Sequence, residues 1–169
     1  KATVAGVEIE IRKNLFVRPV SNAAHGMNKL SLGLNGSYIY TNAKMPLATV
    51  TTGSQLEGAA PWIVNFDLSH NFTKGERSFV NTLVLNYVSD KIYTIGTQGY
   101  QDVMEQGVLI LDFVSQAKLN KHLSLNLKAR NLLNPSYKLS RKANENGEKV
   151  ILNDYKKGIN ISLGVSCTF

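Results

Sequence analysis

The sequence predicts an all-β protein of about seven antiparallel strands, and three observations predict it. Apolar residues alternate with polar ones along most segments, with almost no helical periodicity. The connections between segments alternate between long and short. The aromatic residues are sorted by strand end. The clearest alternation is in the last stretch, where Ile159, Ile161, Leu163, Val165, Cys167 and Phe169 fall on one face and Asn160, Ser162, Gly164, Ser166 and Thr168 on the other. Only a period of two makes one apolar and one polar face from this order.

The earlier segments follow in turn. Val7, Ile9 and Ile11 alternate with Glu8, Glu10 and Arg12. Asn14 to Asn28, with Pro19 and Gly26, has no clear period and reads as a connection. Leu30, Leu32, Leu34, Tyr38 and Tyr40 then alternate with Ser31, Gly33, Asn35 and Ser37. Thr41 to Pro61 reads as a long polar loop. Trp62, Val64, Phe66, Leu68, His70 and Phe72 form the next apolar face, opposite Asn65, Asp67, Ser69 and Asn71. A short turn at Thr73–Arg77 leads to Phe79, Leu83, Leu85 and Tyr87, where Val80, Val84 and Val88 blur the opposite face.

Ser89 to Gly107 reads as a second long connection. Leu109, Leu111 and Phe113 follow, opposite Asp112, Gln116 and Lys118. A tight turn at Leu119–His122 enters Leu123, Leu125, Leu127 and Ala129, opposite Ser124, Asn126, Lys128 and Arg130. Pro135 to Lys157 is a third long loop before the terminal strand, with Val150–Leu152 as the best place for a further strand.

This order discriminates between two all-β classes. With the C-terminus on the periplasmic side, every long loop lands outside and both short turns inside, as in transmembrane barrels. The Asn14–Asn28 connection is the discordant one, being long for a periplasmic turn. Tyr38, Tyr40, Trp62 and Tyr87 lie near long-loop ends, and Phe72, Phe79 and Phe169 near short-turn ends, as two interfacial aromatic girdles require. A soluble sandwich has no reason to sort aromatics this way. The fold expected is therefore an antiparallel transmembrane β-barrel in an outer membrane. A small soluble β-sandwich or lipocalin-like binding protein is the alternative from another class. A small eight-stranded structural outer-membrane barrel is the third.

Composition excludes several functions. No apolar run is long enough for a transmembrane helix. The start, Lys1-Ala-Thr-Val, shows no signal-peptide pattern. Cys167 is the single cysteine, so no internal disulfide or cysteine cluster is expected. The net charge of +7 is spread through strands and turns, not gathered into a stripe with stacking aromatics, so no nucleic-acid partner is expected. Phosphate-loop, nucleophile-elbow, dinucleotide, zinc-protease and paired-cysteine motifs are all lacking, so no catalytic, cofactor or metal residue is assigned and no enzyme is expected. His25, His70 and His122 lie far apart, and Glu8 and Glu10 read as decoration of a wetted face.

Several segments resemble one family. They are Gly6–Leu15, Leu32–Tyr40, Gln55–Gly58 with Pro61–Asn65, Leu85–Tyr87, Asp102–Glu105, Leu127-Lys-Ala-Arg-Asn-Leu-Leu-Asn-Pro135, and Tyr155–Gly158 before the strand ending in Phe169. In order and spacing they resemble the C-terminal barrel portion of TonB-dependent outer-membrane receptors of the Bacteroidetes type, which implies that residues 1–169 are an antiparallel transmembrane β-barrel segment, the C-terminal part of a larger barrel. The resemblance implies energised uptake of a siderophore, a cofactor, a glycan or a peptide. It implies as partners the outer-membrane lipid, a plug domain, and the TonB complex through an N-terminal part outside this chain. A terminal strand ending in Phe169 resembles the signal read by barrel-assembly machinery, whose physical basis would be strand addition.

In that reading Glu8, Glu10, Arg12, Asn35, Asp67, Asp112, Lys128 and Arg130 face the lumen, because charge on the lipid side is unfavourable. Ligand contacts are expected from the loops Thr41–Pro61, Ser89–Gly107 and Pro135–Lys157, with no substrate-binding residue assigned.

Overall fold

A computed structural model describes residues 2–20, 26–43, 55–143 and 147–168. Its elements, in chain order, are β1 (Ala2–Pro19), β2 (Met27–Ala43), β3 (Trp62–Lys74), β4 (Arg77–Val88), β5 (Lys91–Thr94), β6 (Val103–Glu105), β7 (Val108–Lys118), β8 (Leu123–Arg130), β9 (Ser136–Lys142), β10 (Lys149–Lys156) and β11 (Asn160–Cys167). Seven of them form one antiparallel sheet in the order β1-β2-β3-β4-β7-β8-β11. The other four form a second antiparallel sheet, β10-β9-β6-β5. The expected all-β class holds, and the seven main strands are those the alternation marks. Among the described residues, β1 and β11 are open edges that do not pair with each other.

Register carries the alternation of each strand across the whole main sheet. One continuous row runs Ile11, Leu34, Phe66, Leu85, Leu111 from β1 to β7. A neighbouring row runs Leu32, Leu68, Leu83, Phe113, Ala129, Ile161 from β2 to β11. Residues directly opposite on antiparallel strands point to the same side, so these rows build a single apolar face. Lys13, opposite Leu32, is a charged intruder on it at the exposed edge strand.

Three connections differ from the sequence reading. The expected Asn14–Asn28 connection is largely strand, since β1 continues to Pro19 and β2 begins at Met27. Leu15 is pushed out as a bulge between Asn14 and Phe16, which breaks the period of two and hides the strand's continuation. Val20 N–H donates to Gly26 O, so the real connection is short and the discordant long turn disappears. The expected loops 89–107 and 135–157 each contain a pair of strands, β5 with β6 and β9 with β10. Val150–Leu152 does lie in a strand, β10, but in the second sheet and not as an eighth strand of the first. Most of the Thr41–Pro61 loop lies outside the described residues, as do His25 and Phe169.

The second sheet continues the first. Along the chain β4 leads to β5, β6 to β7, β8 to β9 and β10 to β11, so the order β5-β6-β9-β10 repeats β4-β7-β8-β11 strand for strand. Short breaks separate the two levels. At one, Gly107 N–H donates to Asp90 Oδ1 at 2.6 Å, and Gly107 must lack a Cβ because Val88 O lies in its path. At the other, Asn131 and Asn134 take positive φ values of 59° and 43°. Asn is among the few residues that enter this region readily. Asn131 N–H donates to Asp112 Oδ1 at 2.8 Å and Asn131 Nδ2 to Gly158 O at 2.6 Å, while Gly158 N–H donates to Asn134 Oδ1 at 3.0 Å. The Arg-Asn-Leu-Leu-Asn-Pro segment is thus a strand break held shut by its own asparagines.

Burial is concentrated at this level. Among the described residues, the buried apolar ones are Ala43, Ala60, Ile92, Ile95, Val108 and Tyr137, all at or beyond the long-connection end of the main sheet. Segment 55–60 closes against β2 and β5, with Leu56 N–H donating to Thr41 Oγ1, Gly58 N–H to Ile92 O, and Ile95 N–H to Glu57 Oε1. Below it nothing among the described residues covers the apolar face, and Leu163 on β11 is 71% exposed. The two sheets share no broad contact surface.

Candidate functional site: the polar face and the pocket above it

All eight charged or polar residues expected on one face share it. Glu10 opposes Asn35, Arg12 opposes Gly33, Asp67 opposes Gly33, and Val84 stands between Asp67 and Asp112. Lys128 pairs with Val114, two residues on from Asp112, and Arg130 is two residues from Lys128. The face is cross-linked by side chains. Asn65 Nδ2 donates to Asn35 Oδ1 at 3.2 Å, and Asn35 Nδ2 to Glu8 Oε1 at 2.6 Å, tying three strands together. Arg12 pairs with Glu10, and Ser69 shares a hydrogen bond with Thr82 at 3.1 Å.

One member differs from the expected free lumenal role, and the face is less polar than expected. Asp112 is committed to the Asn131 amide at the strand break. Val80, Val84 and Val88 also lie on this face, together with Val114 and Val108, so the polar face has an apolar patch along β4 and β7. The blurred alternation of β4 is the sequence signal of that patch.

A pocket of about 370 Å³ opens on the second sheet, lined by Asp90, Gln101, Asp102, Met104, Ser140, Arg141, Lys142 and Lys149. The sequence assigns no residue here, although it expects ligand contacts from these two connections. Pairing of β6 with β9 joins them, setting Met104 opposite Ser140. Lys142 and Lys149 face each other on β9 and β10. The Arg141 guanidinium lies 4.8 Å from the centre of the Tyr100 ring, which fixes its plane while leaving its edge donors available. Asp102 Oδ1 accepts from Gly96 N–H at 2.7 Å and Asp90 Oδ1 from Gly107 N–H, so each carboxylate is anchored through one oxygen. Ser140 is completely buried, and its Oγ has no partner among the described residues. The pocket thus offers cations, carboxylate oxygens and an amide at one concave place. That set suits a polar ligand bearing charge.

The chain matches no family model, no curated protein and no solved structure.

The remaining candidates are structural. His70 Nε2 is 2.8 Å from Asn28 Oδ1, and His122 Nδ1 is 2.8 Å from Thr168 O, where it ties the end of β11 to the β7–β8 turn. The described residues contain no cluster of His, Cys, Asp or Glu that would hold a metal. No described helix is long and apolar enough to cross a membrane.

Proposed function

We propose that this chain is a wall section of an outer-membrane β-barrel receptor of the TonB-dependent type. In that role the apolar face meets lipid, the polar face lines the lumen, and the second sheet stands outside with its pocket toward incoming ligand. The observation that carries the reading is the continuous apolar face over all seven main strands, with no layer packed on it among the described residues. Water-soluble domains bury such a face against a second layer. A bilayer takes the place of that layer.

Dimensions support the same reading. Trp62 packs on Tyr38 with ring centres 4.5 Å apart at one end of the face, and Phe72 on Phe79 at 6.4 Å at the other. The ten residue steps from Trp62 to Phe72 span about 34 Å along the strand. At the usual barrel tilt this is about 25 Å of vertical height, the height of the apolar band of outer-membrane barrels. The open edges β1 and β11 suit strands supplied by the rest of a larger barrel, and an unpaired edge left alone invites aggregation. The soluble sandwich requires two apolar faces in contact, and the two sheets here are arranged end to end.

Spin labels placed one at a time along β3 and β4 of the membrane-reconstituted protein test the proposal. Labels at Leu68, Phe66 and Leu83 should be relaxed by oxygen dissolved in the lipid. Labels at Ser69, Asp67 and Thr82 should be relaxed by a water-soluble nickel complex. Uniform access to the nickel complex at both sets would overturn the membrane assignment.

A further inference from the structure

The end of the main sheet that carries the short turns is strongly basic. Arg18, Lys29, Lys74, Arg77, Lys118 and Lys121 gather there, and Glu76 is the one carboxylate among its described residues. At the opposite end, positive and negative residues nearly balance within 89–107 and 131–159.

Three of these cations are on the apolar face itself, next to phenyl rings. Lys74 and Arg77 follow Phe72 and precede Phe79 by two residues, so each projects on the same side as its ring. Arg18 lies over Phe16, its guanidinium carbon 5.6 Å from the ring centre. Lys74 and Arg77 are direct cross-strand partners. Like charges so placed repel. Neither makes an ion pair among the described residues. A hollow of about 400 Å³ opens beside them, lined by Lys74, Glu76, Arg77, Leu119 and Asn120.

We infer that this rim binds the phosphate of an anionic phospholipid headgroup, with Lys74 and Arg77 as the principal pair. The inference rests on the bilayer reading above. A phosphodiester supplies the missing counter-charge, and its oxygens accept the forked Arg donors and the Lys ammonium together. The Phe72–Phe79 pair sets the depth: rings at the interfacial level put cations one turn-ward step beyond them at the level of headgroups. Acyl chains would then run up the adjoining apolar face. Glu76 at the hollow's rim disfavours free anions arriving from solution, whereas a lipid is held in place by its tails.

The test is the electron spin resonance of spin-labelled phosphatidylglycerol and spin-labelled phosphatidylcholine around the protein in phosphatidylcholine membranes. The motionally restricted fraction should be several-fold larger for phosphatidylglycerol, and that preference should shrink in high salt. In the K74Q/R77Q variant the preference should fall towards unity while phosphatidylcholine contact stays unchanged. Equal restriction of both lipids in the wild-type protein overturns the inference, and so does a preference that survives in the variant and in high salt. Restriction of neither lipid overturns the bilayer reading together with the inference.

Discussion

Gly33 on β2 stands directly opposite Asp67 on β3, and the Asp67 carboxylate lies across the space that a Cβ at Gly33 would occupy. Arg12 on β1 opposes the same glycine from the other side. The glycine is thus a slot on the polar face between a cation and a carboxylate. Gly33→Val should displace Asp67 and destabilise the sheet by about 1–3 kcal/mol, the usual effect of overfilling a packed site. Gly36→Ala, three residues along β2 on the apolar face with nothing near its missing Cβ, should change stability little. Thermal unfolding of both variants in the same detergent checks the contrast.

The two faces should respond in opposite ways to charge. Leu68→Arg puts a cation near the middle of the apolar face and should destabilise the inserted protein by about 2–4 kcal/mol. Ser69→Arg, one residue on, points to the polar face and should be tolerated. Equilibrium unfolding by guanidinium in lipid vesicles measures both, and equal penalties would contradict the assignment of faces.

At the strand break, Asp112→Ala removes the acceptor for the Asn131 amide. A hydrogen bond to a charged acceptor contributes about 1.5–3 kcal/mol, so a loss of that order is expected. Asp112→Asn keeps an oxygen at the same place and should recover much of it. Amide hydrogen exchange at Asn131 and Leu132 should accelerate in the alanine variant and far less in the asparagine one.

Asn131 and Asn134 should also tolerate different replacements. Both occupy the left-handed region, and Asn131 also bonds Gly158 O through its side chain. Asn134→Ala loses both the Gly158 bond and a compatible backbone, at about 1–3 kcal/mol. Asn134→Gly keeps the backbone and should be the milder change. Limited proteolysis between β8 and β9 should detect the loosened break in the alanine variant first.

Much of the fold is legible in the sequence because alternation is a local property. Every main strand announces itself by its own period of two, and the eight polar-face residues follow from that period alone. The strand content of 89–107 and 135–157 is legible only at Val150–Leu152, which lies in β10. β5 and β6 are only Lys91–Thr94 and Val103–Glu105, too short to display a period, and the period of β10 is broken by an irregularity at Leu152. The lost alternation around Leu15 has the same cause: a single extra residue shifts every following side chain to the other face.

The pocket is the least legible feature. Nothing in Asp102, Arg141 or Lys149 singles these residues out along the chain, since charged residues in long connections are common. They become a site because β6 pairs with β9, which brings two connections together across more than thirty residues of intervening chain.

The sequence by itself determined the strand class, the two faces of the main sheet and the sorting of aromatics to its ends. These follow from which side of a pleated backbone each residue occupies. Only the tertiary structure decided the strand order, the second sheet standing on the first, the pocket on it and the pairing of Lys74 with Arg77 at the far rim. Register between strands is a long-range choice, made by backbone hydrogen bonds whose partners no local pattern names.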